Sequence, residues 1–140
     1  MSIDRLARGR VGEEAAAREY ERAGYILAEK NYHSRYGEID IILQNSEYIV
    51  FCEVKLRSGV RFGSAAQAVT NTKIKKLIKT AEIYLQKKPS ELQPRFDVAE
   101  VWCAVTGGAA VVKDINIIEN AFDLSTCARN CSFRGSDEVF

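Results

Sequence analysis

Three ionisable residues interrupt an apolar stretch of this sequence that otherwise has the pattern of two β-strands. Asp40, Glu53 and Lys55 lie within GEIDIILQNSEYIVFCEVK, residues 37–55. Because side chains alternate between the two faces of a strand, Glu53 and Lys55 point to the same face. Two carboxylates beside an ammonium group are suited to holding a divalent cation next to a phosphate. The spacing therefore predicts chemistry at phosphorus.

The pairing of the two strands decides whether the two carboxylates meet. If Gln44 pairs with Glu47 across a two-residue turn, Asp40 lies opposite Phe51 and diagonal to Glu53. Diagonal neighbours are about 7–8 Å apart at the backbone, a distance that two carboxylate side chains close around one cation. We therefore expect the three charged groups to converge.

A Mg²⁺ ion at this point would take oxygen ligands from Asp40, Glu53 and a backbone carbonyl, which we expect to be that of Val54. Lys55 would orient or help to deprotonate an attacking water and offset the negative charge that develops on phosphorus. A plain ion pair of Lys55 with Glu53 or Asp40 is the alternative. Such a pair needs only two charged groups, and burying a third is costly unless a partner or a metal compensates it.

Two helices and five strands must position these groups. The first helix, residues 10–23, is rich in alanine, and Ser64-Ala65-Ala66-Gln67 has the form of a capping box that opens a second helix reaching Lys88. Strands are predicted at residues 25–32, 37–44, 47–56, 95–105 and 110–118. The order α-β-β-β-α-β-β predicts an α/β fold, a mixed five-stranded sheet flanked by helices.

Length and composition fit a single globular domain. The chain has 140 residues, of which 46% are hydrophobic and 28% charged, and the strand and helix patterns occupy residues 1–123. Residues 124–140 lack such a pattern and are predicted to form a mobile tail. The longest apolar stretch, YIVFC, is too short to cross a bilayer, and the opening residues lack a secretory apolar region. We therefore expect a cytoplasmic protein that does not bind membranes.

Charge is distributed unevenly along the chain. Residues 36–54 contain four acids and no Lys or Arg, whereas residues 55–81 contain seven cations and no acid. A solvated helix face is the ordinary explanation for such a run, but lysines on such faces usually alternate with acids. The imbalance favours an anionic partner, of which a phosphate backbone is the commonest. The candidate contacts to nucleic acid are Arg57, Arg61, Lys73, Lys75, Lys76 and Lys79.

These six cations are predicted to lie on two elements. Arg57 and Arg61 fall in a glycine-bounded loop after the third strand, which leaves them free to follow a nucleic-acid backbone. The lysines lie on the second helix and lean away from its apolar stripe. The members of that stripe are Thr70, Ile74, Leu77, Ala81, Tyr84 and Leu85.

Several short motifs together resemble a known family. They are Gly12-Glu13, Asn31, Gly37-Glu38-Ile39-Asp40, Phe51-Cys52-Glu53-Val54-Lys55, Arg95-Phe96-Asp97 and Asn120-Ala121-Phe122. Over about residues 9–123 the chain resembles the YraN-like bacterial family, whose fold is similar to that of archaeal Holliday junction resolvases. Its D…ExK spacing is similar to the signature of the restriction-endonuclease-like nuclease superfamily.

This resemblance implies a restriction-endonuclease-like fold and a Mg²⁺- or Mn²⁺-dependent endonuclease that cuts branched or otherwise structured DNA to leave a 5′-phosphate, as a homodimer. It also implies that Glu13 joins Asp40 and Glu53 at the metal and that Gln67 is a polar residue of the site. The alternatives are that Glu13 only favours the start of its helix and that Gln67 only completes a capping box. A non-catalytic nucleic-acid-binding protein that keeps the fold is the rival interpretation.

Overall fold

The protein is described by a computed structural model that covers residues 5–58 and 70–123, with residues 5–8 as backbone only. Within these ranges the chain forms two helices, α1 (Arg5–Arg22) and α2 (Asn71–Lys87). The strands are β1 (Ile26–Ser34), β2 (Gly37–Gln44), β3 (Tyr48–Ser58), β4 (Gln93–Thr106) and β5 (Ala109–Ile118). The predicted α/β fold, with its order α-β-β-β-α-β-β, is confirmed.

Some predictions fall outside the residues that the structure describes. They concern Arg61 as a nucleic-acid contact, Gln67 as a site residue, the capping box at residues 64–67 and the tail at residues 124–140. Neither α1 nor α2, the helices of the described ranges, is long and apolar enough to cross a membrane.

The five strands form one mixed sheet in the order β1-β2-β3-β4-β5. β3 and β4 run parallel, and the other neighbouring pairs run antiparallel. A parallel pair needs a crossover connection, and α2 lies in that connection. β4 and β5 are joined at Gly107 and Gly108, whose φ angles of 60° and 80° suit the two-residue hairpin turn that the sequence predicts.

Each helix packs on its own face of the sheet. Ala16 and Tyr20 of α1 share a buried core with Cys52 of β3, whereas α2 covers the core that contains Phe51. Because side chains alternate along β3, Glu53 is on the same face as Phe51, which is the face that α2 covers. α1 comes close to β3, since a Cβ atom at Gly12 would clash with the side chain of Leu56. Glycine at this position therefore lets the first helix approach the strand that carries Glu53.

The second helix begins later than predicted. Thr70 has an extended backbone, with φ −77° and ψ 163°, and its side chain accepts the N–H of Lys73 as the helix N-cap. The predicted helix therefore does not run through Thr70, and the predicted place of Thr70 on the apolar stripe is wrong. The hydroxyl of Thr70 satisfies a free N–H of the first turn, which fixes the start of α2 there. The rest of the stripe is confirmed, because Ile74, Leu77, Ala81 and Tyr84 are buried and Leu85 is half-buried.

The β2–β3 hairpin differs from the prediction by two residues. Gln44 pairs with Ile49 instead of Glu47, and Ile42 takes the place of Asp40 opposite Phe51. The turn is Ser46-Glu47 and lies one residue later than predicted, because the N–H of Asn45 donates to the carbonyl of Tyr48 at 3.0 Å. The side chain of Asn45 also accepts the N–H groups of Glu47 and Tyr48 at 2.9 and 2.7 Å. A shift by two residues keeps the side chains of the paired residues Ile41 to Gln44 on their predicted faces. Ile39 is an exception, because it packs on the face opposite to that of Ile41.

Candidate active site

Asp40 lies at the point where β2 separates from β3. The ladder between these strands ends at the pair Ile41 and Cys52, so Asp40 stands at the level of Glu53. Beyond this pair, the two strands are joined by a side-chain hydrogen bond in place of a backbone one. The Asp40 Oδ2 atom accepts the N–H of Val54 at 2.8 Å. The shifted register thus puts Asp40 at the level of Glu53, in place of the predicted diagonal position.

Glu53 is buried on the α2 face, with 6% of its surface exposed. Its Oε2 atom lies 3.5 Å from Lys55 Nζ on the same strand and 3.5 Å from Lys73 Nζ in the first turn of α2. Charge-assisted hydrogen bonds are shorter, at about 2.7–2.9 Å. Both ammonium groups are therefore held near Glu53 by charge, without a tight hydrogen bond. The predicted convergence of Glu53 and Lys55 is present, and Lys73, predicted only as a nucleic-acid contact, lies beside them.

Glu13 of α1 belongs to the surroundings of Asp40. It follows the buried Gly12, is half-buried itself, and accepts a hydrogen bond from Asn31 Nδ2 of β1 at 3.1 Å. It lies at the margin of the buried stripe of α1, which contains Ala16, Ala17 and Tyr20. Glu38 of β2 is exposed, and one of its oxygens lies 3.4 Å from Nδ1 of His33.

The acids of the site act on one another electrostatically. Burial and the neighbouring Glu53 carboxylate raise the pKa of Asp40 from 3.8 to about 7, and Glu13 and Glu38 add smaller contributions in the same direction. The hydrogen bond from Val54 opposes this shift. Among the described residues, Glu53 has ion pairs with two lysines and Asp40 has none. Within this part of the chain, Asp40 therefore lacks a positive partner and lies in acidic and partly dehydrated surroundings.

The residues fit a magnesium-type ion better than a metal enclosed entirely by protein. Within residues 5–58 and 70–123, no three His, Cys, Asp or Glu side chains are grouped closely enough to hold a metal by themselves. Mg²⁺ does not need such a group, since it is usually bound by one or two carboxylates and keeps its remaining positions for water and substrate phosphate. Asp40 and Glu53 supply two carboxylates. A bound cation would give Asp40 the positive partner that it lacks among the described residues.

The predicted nucleic-acid contacts occupy different surroundings. Arg57 lies in β3 and not in a loop as predicted, because this strand continues to Ser58, and its Nε atom is 3.8 Å from Glu100 Oε2. On α2, Lys76 is exposed and Lys75 is half-buried. Lys79 lies 3.9 Å from Glu82 Oε1 and over the ring of Tyr36.

Sequence reasoning missed a buried acid next to the site. Glu100 of β4 pairs in register with Lys55, is only 2% exposed, and accepts a hydrogen bond from Asn116 Nδ2 at 2.7 Å. The available signal was a charged residue within the apolar run of a strand, which is the same signal that identified Glu53. Its ion pair with Arg57 of β3 and its hydrogen bond with Asn116 of β5 connect polar side chains across three neighbouring strands.

A second polar group stabilises the fold on the α1 face. Asp97 is fully buried, binds Arg95 through two hydrogen bonds of 3.0 and 2.8 Å, and accepts the hydroxyl of Tyr20 at 2.7 Å. The guanidinium group and the hydroxyl compensate the cost of burying this carboxylate. Arg95 and Asp97 therefore form a structural pair that ties α1 to β4.

Comparison with known proteins identifies the family. The model of the Uncharacterised protein family UPF0102 matches residues 12–101. A UPF0102 protein of Clostridium botulinum is 41% identical over 118 residues, which are 83% of this chain and 94% of the relative. A UPF0102 protein of Vibrio parahaemolyticus is 43% identical over 111 residues, covering 77% and 86%. One from Acetivibrio thermocellus is 40% identical over 121 residues, covering 85% and 93%. The chain therefore belongs to the UPF0102 family, the YraN-like family that its motifs resemble.

Proposed function

We propose that this protein is a Mg²⁺- or Mn²⁺-dependent DNA endonuclease with a restriction-endonuclease-like active site. The observation that carries the proposal is the Asp40 carboxylate, which faces Glu53 where β2 and β3 separate and has no cationic partner among the described residues. A cation between Asp40 and Glu53 removes this imbalance. Lys55, on the same strand as Glu53, then completes the D…ExK arrangement.

Each residue has a distinct role in the proposed reaction. When bound, the cation stabilises the negative charge that develops on the phosphate oxygens. Asp40 and Glu53 hold it, and Glu13 assists from α1. Lys55 positions the attacking water and offsets negative charge at phosphorus. Water adds to phosphorus, the bond to the 3′ oxygen breaks, and protons exchange with solvent, which leaves a 5′-phosphate and a 3′-hydroxyl.

Lys73 has a further role that follows from its position. It shares Oε2 of Glu53 with Lys55, and both contacts measure 3.5 Å. A cation bound to Glu53 repels both ammonium groups, because the like charges lie only a few ångströms apart. Lys73 sits in the first turn of α2 and is 44% exposed. With a cation held by Glu53, the Lys73 ammonium group would be available to contact a phosphate of the DNA.

The substrate class follows from charge and from the family resemblance. The exposed Lys76, together with the neighbouring lysines of α2, provides sequence-independent contacts to a phosphate backbone. The similarity to archaeal resolvases suggests branched or structured DNA in the cytoplasm, bound by a homodimer whose two-fold symmetry matches that of a four-way junction.

Cleavage of an end-labelled four-way junction tests the proposal. Wild-type protein is incubated with the junction, and separately with a linear duplex of the same sequence, in Mg²⁺, Mn²⁺ or EDTA. We expect cleavage of the junction that requires the metal and is lost in Asp40→Asn and Lys55→Ala. Lys113→Ala removes an exposed lysine from β5 and serves as the charge-matched control.

The outcomes separate the enzyme from its rival. Loss of cleavage with retained junction binding in the two site variants supports the nuclease. Binding without cleavage by the wild type supports a non-catalytic nucleic-acid-binding protein, an interpretation that the two ion pairs of Glu53 favour. If the wild type neither binds nor cuts DNA, both interpretations are wrong.

A further inference from the structure

Asn31 of β1 has a backbone conformation that few residues other than glycine adopt. Its φ of 50° lies in the left-handed region, where asparagine is among the few side chains that are tolerated. The residues on either side of it pair with Ile41 and Ile39 of β2. Asn31 is therefore at the level of Asp40 on the adjacent strand.

The β1–β2 ribbon changes face at this level. Ile41 belongs to the core under α1, whereas Ile39 belongs to the core under α2, together with Tyr32. In a regular strand, residues two positions apart share one face. The left-handed Asn31 on β1 thus lies beside the point on β2 where the side chains change from one face of the sheet to the other. Asp40 is the residue at that point. This places its carboxylate where it accepts the N–H of Val54 from β3.

The side chain of Asn31 connects this point to α1. Its Nδ2 atom donates to Glu13 Oε2 at 3.1 Å. A neutral amide orients a carboxylate without cancelling its charge, which a lysine or arginine at this place would do. In the described part of the chain, the other oxygen of Glu13 accepts no hydrogen bond. Glu13 is thereby fixed through one oxygen.

We infer that Asn31 is a positioning residue of the cation site, whose amide fixes the orientation of the Glu13 carboxylate next to a metal that Asp40 and Glu53 would hold. The inference rests on the proposed function, since it concerns the same cation. Hydrogen-bond partners of metal ligands affect affinity strongly, and their loss typically weakens metal binding about 10–100-fold. A hydrogen bond that only tied β1 to α1 would affect folding stability and leave metal affinity unchanged.

The test compares two asparagines that share the left-handed conformation. Asn31→Gly keeps this conformation and removes the amide. Asn120→Gly is the matched control, because Asn120 has a φ of 52° and contacts Asp97 through its backbone N–H. Mn²⁺ affinity is measured by calorimetry on the whole chain, and thermal unfolding is followed in EDTA. We expect Asn31→Gly to weaken Mn²⁺ binding about 10–100-fold, whereas Asn120→Gly binds Mn²⁺ like the wild type.

A double-mutant cycle shows whether Asn31 acts through Glu13. In a Glu13→Gln background, Asn31→Gly should cause no further loss of Mn²⁺ affinity. The inference is overturned if the single variant binds Mn²⁺ like the wild type, or if its loss is equally large in the Glu13→Gln background. A wild-type protein that binds no Mn²⁺ overturns the cation site itself, which is the separate failure of the proposed function.

Discussion

Replacement of Asp40 by asparagine should make the metal-free protein more stable at neutral pH and leave its stability unchanged in acid. Burial and the Glu53 carboxylate raise the pKa of Asp40 to about 7 in the folded protein, from 3.8. Between these two pH values the folded protein keeps a proton that the unfolded chain has released, so the free energy of unfolding falls as the pH rises. Asparagine keeps the acceptor for the Val54 N–H and carries no charge.

The magnitude follows from the pKa shift. Each pH unit between 3.8 and about 7 lowers the free energy of unfolding by up to about 1.4 kcal/mol, which gives an upper limit of about 4 kcal/mol above pH 7. Water reaches the half-buried carboxylate and the surrounding side chains relax, which reduces the cost of its charge. We therefore expect Asp40→Asn to stabilise the protein by about 2 kcal/mol at pH 8 and by almost nothing at pH 4.

The assay is urea unfolding in EDTA at a series of pH values from 4 to 8.5. The fluorescence of Trp102, the single tryptophan of the chain and a buried residue, reports the loss of tertiary structure, and circular dichroism reports secondary structure. Equal m-values in variant and wild type show that the difference is one of stability. Glu91→Gln removes an exposed carboxylate and should show no such dependence on pH.

Two results would refute this reasoning. One is a free-energy difference between Asp40→Asn and wild type that is the same at pH 4 and pH 8. The other is a variant that is less stable than the wild type at both. Either would mean that the Asp40 carboxylate does not carry an uncompensated charge in the folded protein.

Three further predictions follow from the fold and its surface. Gly12→Val should lower the free energy of unfolding by about 1–3 kcal/mol, measured with urea, because its side chain overpacks the contact between α1 and β3; an unchanged stability would contradict the close approach. Arg95→Leu should cost about 3–5 kcal/mol in the same assay, since it leaves Asp97 buried and unpaired, and a loss below about 1 kcal/mol would show that the pair is dispensable. Lys76→Ala should reduce the slope of log affinity for DNA against log salt by about 0.9, and Lys113→Ala, the control, should leave this slope as in the wild type.

The sequence predicted the fold and most of the site because both depend on simple periodicity. Because side chains alternate along β3, Glu53 and Lys55 lie on one face of the sheet. This holds for any register between β3 and β2. The predicted hairpin was two residues out of register, and a shift of two preserves the faces of the paired residues Ile41 to Gln44. Asp40 and Glu53 therefore stand at the same level of the hairpin, where the sequence predicted a diagonal arrangement.

What the sequence did not predict depends on contacts between distant segments. No local pattern indicates that Lys73 lies beside Glu53, since the first turn of α2 meets β3 only in the folded chain. The partner of Glu13 was equally hidden, because Asn31 is one polar residue in a half-exposed strand, 18 positions away. The start of α2 was misplaced because two segments, at Ser64 and at Thr70, both have capping residues.

Anomalous diffraction from crystals grown with Mn²⁺ tests the central claim most directly. The account predicts one anomalous peak between Asp40 and Glu53, about 2–2.5 Å from an oxygen of each, with Lys73 displaced from Glu53. The account is contradicted if crystals of the Mn²⁺-treated protein show no peak there and Glu53 still bridges Lys55 and Lys73.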